Sequence, residues 1–252
     1  MRLNSHPWPT SRRYGAKNLR LAPGVVWTNA VNYFAELLDP RIAIAEAPLT
    51  GEPPDLQAGE ALVVARAVPR RRLEFAIGRN CARKAMTALG YADAALPRGH
   101  DRMPVWPVDL VGSITHTGGW AAAAVARRDQ GFVAIGIDLE PADELAFDLW
   151  DSVCNSAERE TLAAICGVTP GVAAHLIFCM KEAAFKCQYP LSGAMLEFAD
   201  FAVDVDAQAG TFAATYKRAV PGFQMHDRLI GRFAIRDGYI ASAVVVTSEP
   251  AS

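Results

Sequence analysis

The chain has 252 residues, 51% apolar, 9% aromatic and 21% charged, with a net charge of −2. That is the composition of a globular protein with one large domain or two modest ones sharing a core, and it excludes a disordered or low-complexity chain. No apolar run approaches the roughly 20 residues that span a bilayer, and a near-neutral total makes no demand for nucleic acid.

Residues 1–24 are polar, basic and proline-containing. With no apolar stretch behind the charges they do not read as a secretory leader, so a loosely ordered arm on a cytoplasmic protein is expected. Residues 25–38 are left open between strand and short helix. Residues 41–47 alternate as a strand does. A loop with Gly51, Pro53, Pro54 and Gly59 leads to an apolar run at 61–68. Pro69 opens a helix over 70–89, stopped by Gly90. Two strands, 109–116 and 120–128, are joined by a tight Gly118-Gly119 turn. A junction at 127–131 divides an N-terminal lobe (25–129) from a C-terminal lobe (130–252). Beyond it come a strand at 132–140, an Asn155/Glu158 capping box opening a helix that ends near Cys166, and a longer helix from Pro170 to Gln188, stopping before Pro190. The tail reads as strands at 201–206 and 211–217 and a hairpin over 229–246 turning at Asp237-Gly238. Strand, helix, strand, strand occurs in each half, which predicts an α+β fold of two similar lobes packed side by side around a cleft. The five cysteines (Cys81, Cys154, Cys166, Cys179, Cys187) are odd in number and contain no CxxC. They read as small buried hydrophobes in a reducing compartment.

Four clusters carry chemistry. On a strand, Asp138 and Glu140 point to the same side, and two adjacent carboxylates repel unless a cation lies between them. Magnesium takes such hard oxygen ligands together with phosphates and water. Alone, the pair more often marks an exposed strand edge than a metal site. Glu182 and Lys186 are helical neighbours, preceded by Lys181, on a helix apolar on nearly every side, where buried charge needs a reason. The segment Gly112-Ser113-Ile114-Thr115-His116-Thr117 combines small residues with donors suited to phosphate oxygens. Finally, Arg66, Arg70, Arg71, Arg72, Arg79, Arg83 and Lys84 crowd one short segment, opposed only by Glu74, and suit a phosphate-bearing ligand or an acidic partner. Arg72, Arg79 and Arg83 follow one helical face. Taken together, the clusters describe a cleft for magnesium and a polyphosphate.

The segments RRLEFAIGRNCAR (71–83), PVWPVDLVGSITHTGGWAAAAVA (104–126), GIDLEP (136–141) and FCMKEAAFKCQYP (178–190) resemble the 4′-phosphopantetheinyl transferases of the Sfp and enterobactin-synthase type. The likeness is strong over roughly residues 60–190. It implies a pseudo-twofold pair of α+β lobes with coenzyme A in the cleft between them. Asp138, Glu140 and Glu182 would hold Mg2+ against the coenzyme A pyrophosphate. Arg71, Arg79, Arg102, Thr115 and His116 would grip the 3′-phosphate and adenosine end. Lys181 and Lys186 would contact phosphates, with Lys186 stabilising the leaving group. Glu182, or a water on the metal, would take the proton of the accepting serine on an acyl or peptidyl carrier protein. The resemblance points to Arg71 where helical spacing selects Arg72. It further implies a monomeric, cytoplasmic enzyme, since one chain supplies both halves of the cleft, serving secondary-metabolite or siderophore synthesis. Two other readings use the same residues: a magnesium-dependent phosphohydrolase or nucleotidyl transferase, which lacks a P-loop here, and a non-catalytic coenzyme A or phosphate-binding module.

Overall fold

The computed structural model describes residues 32–99, 101, 103–165 and 167–248. The expected N-terminal arm, Arg102 and Cys166 lie outside the described residues.

Two antiparallel sheets share a core. In the first, β1 (Ala43–Pro48) and β2 (Leu110–His116) flank β3 (Trp120–Arg127) in the order β1-β3-β2. Every residue of β3 from Ala121 to Ala126 is fully buried. Its alternate side chains serve two different cores, which is why the strand reads as an unbroken apolar run. Ala121, Ala123 and Val125 meet Ile77, Cys81, Ala82, Ala85 and Met86 of helix α2 (Pro69–Ala88). Ala122, Ala124 and Ala126 face Ile135, Ile137 and Leu139 of β4 (Phe132–Pro141), in the second sheet. Small side chains on both faces let helix and sheet approach closely. Ahead of α2, the apolar run at 61–68 yields only one helical turn, α1 (Glu60–Val63), and residues 32–38 form turns rather than strand or regular helix.

The second sheet has the order β4-β8-β7-β6-β5, with β5 at Phe201–Asp206, β6 at Thr211–Tyr216, β7 at Arg228–Arg236 and β8 at Tyr239–Thr247. Between β4 and β5 lie α3 (Trp150–Val153), α4 (Ser156–Thr161) and the long α5 (Pro170–Ser192), which packs across β4 and β8. The order β4-β8-β7 with α5 repeats β1-β3-β2 with α2, and β5 and β6 extend the second copy. This is the α+β architecture of paired lobes expected from the sequence.

Local chemistry explains the boundaries. Asn155 and Glu158 exchange both hydrogen bonds of a capping box at α4. That helix ends at Thr161 and tightens into a 3-10 turn, earlier than expected. α5 begins behind Thr169, whose side chain accepts from Val172 N–H. It does not stop before Pro190 but continues to Ser192 and closes on left-handed Gly193. The β7–β8 hairpin turns on Asp237 and Gly238, both at positive φ, as a two-residue turn of this hand requires. At the Gly118-Gly119 turn the reason for glycine is space: a Cβ on Gly119 would meet the hydroxyl of Tyr239. Cys81, Cys154, Cys179 and Cys187 are buried free thiols.

Gly136 sets the depth at which α5 sits on β4. A Cβ there would collide with the carbonyl oxygen of Ala183 and the backbone nitrogen of Cys187. Gly136→Ala is therefore expected to cost about 3 kcal/mol in denaturant unfolding, at the upper end of overpacking. Unchanged stability would show that the helix can lift off without penalty.

Candidate active site at the seam of the sheets

β2 of the first sheet runs beside β4 of the second, and its two-residue period divides the segment 112–117 into two rows. Ser113, Thr115 and Thr117 reach across to β4. Ser113 Oγ accepts from Ile137 N–H at 3.1 Å, Thr115 Oγ1 donates to Asp138 Oδ1 at 2.9 Å, and Thr117 Oγ1 donates to Glu140 Oε2 at 3.4 Å. Ile114 and His116 face the other way, toward α2. Thr115, expected at the 3′-phosphate, thus serves as a hydrogen-bond donor to a carboxylate instead.

α5 brings Glu182 and Lys186 to the same place. Lys186 Nζ lies 2.5 Å from Asp138 Oδ1 and 3.3 Å from Thr115 Oγ1. Burial would lower the pKa of this ammonium, but Asp138 and Glu182 outweigh it and raise it above the usual lysine range. Burial raises the Glu140 carboxyl to about 7, aided by Asp138 and Glu182 and opposed by Lys186 and Thr117. Glu182 is raised by burial, with Lys186 opposing and Asp138 adding. Three partly desolvated carboxylates thus share one lysine. Asp138 is 2% exposed, and its Oδ2 has no hydrogen-bond partner among the described residues. An unsatisfied buried carboxylate oxygen is costly, and a cation against it would remove the cost. Among the described residues, no three His, Cys, Asp or Glu side chains are gathered closely enough to hold a metal ion by themselves. The donor set fits a hard divalent cation that completes its shell with phosphate and water oxygens.

On one side of this cluster lies a cleft of about 290 Å³ lined by Arg71, Glu74, Arg79, Arg98, His116 and Lys186 among others. Arg71 Nη1 lies 2.6 Å from His116 Nε2. Arg79 is 5% exposed, stacked 4.7 Å from the Phe75 ring centroid, and its Nε has no partner among the described residues. Burial lowers its pKa to about 10. A desolvated guanidinium facing an open cleft has the chemistry to receive an anion. Of the arginines on the face selected by helical spacing, only Arg79 belongs here. Arg72 turns back to the carbonyls of Ala65 and Ala67, and Arg83 is buried in an ion pair with Glu60 at 2.7 Å. Arg98, in the loop before β2, was not singled out from the sequence, because an irregular loop carries no periodic signal.

On the other side of α5 a second cleft of about 460 Å³ is lined by Glu182, Phe185, Leu196, Phe198 and Phe201, with Lys181 also at its wall. Lys181 corrects an expectation. Its ammonium is 1% exposed and uses its donors on Val153 O at 2.8 Å, Glu158 Oε2 at 2.8 Å and Phe198 O at 3.0 Å. Glu158 also accepts from the backbone N–H groups of Asn155 and Val203. With its three N–H bonds taken, Lys181 has none left for a phosphate; it ties α3, α4, α5 and β5 together.

The family profile of the 4′-phosphopantetheinyl transferase N-terminal domain matches residues 59–126, and that of the 4′-phosphopantetheinyl transferase superfamily matches residues 134–242. The chain is 39% identical over 218 residues to the 4′-phosphopantetheinyl transferase Svp of Streptomyces mobaraensis, covering 83% of this chain and 87% of that protein. It is 36% identical over 217 residues to the 4′-phosphopantetheinyl transferase Npt of Nocardia iowensis, covering 80% and 95% respectively. Enterobactin synthase component D of Escherichia coli (strain K12) is 39% identical over 120 residues, 46% of this chain and 54% of that protein. The chain belongs to the 4′-phosphopantetheinyl transferase superfamily, enzymes that activate carrier proteins with coenzyme A as the donor.

Proposed function

We propose that coenzyme A lies across the seam with its 3′-phosphate and adenosine end in the arginine cleft, its pyrophosphate at Asp138, Glu140, Glu182 and Lys186, and its pantetheine arm in the apolar cleft beyond α5. The observation that carries this reading is the order of the three regions along the seam: a buried arginine whose Nε has no partner among the described residues, desolvated carboxylates, and an apolar trough. Asp138, Glu140 and Glu182 would hold magnesium, which, when bound, supplies Lewis-acid stabilisation of charge on the pyrophosphate.

The protein's own groups then do the rest. Glu182 borders the apolar cleft and accepts the proton as the carrier serine hydroxyl attacks the β-phosphorus; its raised basicity suits that role. The bond from β-phosphorus to the bridging oxygen breaks, and adenosine 3′,5′-bisphosphate leaves. Lys186, held charged in the seam, donates to the oxygen on which negative charge grows. Arg71, Arg79 and His116 hold the leaving half in place, so the reacting atoms stay aligned. Both sheets come from one chain, which supports a monomer. Buried free thiols, and the absence of any helix among the described residues long and apolar enough to cross a membrane, support a cytoplasmic enzyme.

Incubating an apo-acyl or apo-peptidyl carrier protein with coenzyme A, Mg2+ and this protein should add one phosphopantetheine arm by intact mass spectrometry. Chelation with EDTA should abolish the gain and Mg2+ should restore it. Heat protection by coenzyme A with no mass gain across a panel of carriers would leave only a binding module.

A further inference from the structure

Glu74 is an anomaly in the arginine cleft. A carboxylate lining a site for a phosphate dianion should weaken binding, yet Glu74 is largely buried there, 3.2 Å from Arg70 Nε and 3.3 Å from Arg71 Nη1. It also lies 3.8 Å from His116 Nδ1. Arg71 can only donate, so His116 Nε2, 2.6 Å away, must be the accepting nitrogen. The imidazole proton then sits on Nδ1, on the side of Glu74. We propose that Glu74 is a positioning residue for His116: it fixes this tautomer in the free protein and supports the imidazolium once phosphate binds, so that binding takes up one proton from solvent. The proposal rests on reading this cleft as the 3′-phosphate site.

The sequence of events balances. A phosphate oxygen enters between Arg71 and His116, and Arg71 redirects its N–H to that oxygen. His116 Nε2, relieved of its donor, takes up a proton from the buffer and, as the Nε2–H of the imidazolium, hydrogen-bonds to the same oxygen, while Nδ1–H faces Glu74. The groups around His116 favour the neutral imidazole in the free form. Burial and then Arg71 lower its pKa, with Lys186 of α5 adding, against Glu74 of α2 and Asp138 of β4. Arg79 and Arg98 line the same cleft and add positive charge. An incoming dianion reverses that balance.

The test is calorimetric titration with adenosine 3′,5′-bisphosphate at pH 8 in buffers of different ionisation enthalpy. The wild type should take up between about half and one proton per ligand, and His116→Asn none. Glu74→Gln should bind about tenfold more weakly at pH 8, the equivalent of one unit in the pKa of His116, with the deficit shrinking toward pH 6. Binding independent of buffer, or tighter binding by Glu74→Gln at both pH values, overturns the inference. Failure of the bisphosphate to bind the wild type at all removes the phosphate-site reading and this inference with it.

Discussion

Asp138→Asn is expected to reduce carrier modification by about a thousandfold while leaving a folded protein, on the scale of losing one transition-state charge contact. The side chain keeps its shape and an oxygen for Thr115 Oγ1 and Lys186 Nζ, so the seam remains closed. What disappears is the negative charge and the unsatisfied Oδ2 that would meet the cation. Asp138→Ala should lose activity as well, but it strips Lys186 of its counter-ion in the seam and should unfold more easily. Intact mass spectrometry of the carrier, with circular dichroism of the enzyme, separates the two effects. Near wild-type transfer by the asparagine variant in saturating Mg2+ would refute the proposed role of Asp138.

Lys181→Met should have the largest effect on stability. It leaves Glu158, 4% exposed, without its ion-pair partner, and breaking a buried pair from one side costs about 3–5 kcal/mol, or roughly 10 °C in melting temperature for a chain of this length. The double variant Lys181→Met/Glu158→Gln should recover only part of the loss: it removes the unpaired charge, but the single amide oxygen can accept from just one of the N–H groups of Asn155 and Val203, and the amide NH2 is left facing the other. Thermal unfolding checks both. A single variant as stable as the wild type would mean that water reaches Glu158.

What the sequence disclosed and what it withheld follow from the same geometry. The two-residue period of a strand is rigid, so the pairing of Asp138 with Glu140 on one face could be read directly. The lobes were legible because each repeats the same order of periodic segments. Helices were harder. Adjacent residues on α2 point about 100° apart, so Arg71 and Arg72 diverge completely, and only tertiary neighbours show that Arg72 reaches backbone carbonyls while Arg71 reaches His116. On α5 apolar residues surround every charge, so nothing local distinguishes Lys181, committed to Glu158, from Lys186, committed to Asp138. The side of the strand to which Thr115 donates depends on β4, a partner 23 residues away.

The doubly buried alanine strand also limits how the enzyme can move. Parting the halves to admit a bulky nucleotide would wet Ile135, Ile137 and Leu139, at about 1.5–3 kcal/mol for each large side chain exposed. Hinged opening is therefore closed off as an entry route. In the proposed binding mode coenzyme A would enter the cleft from its rim, past the long side chains of Arg71 and Lys186 that line it.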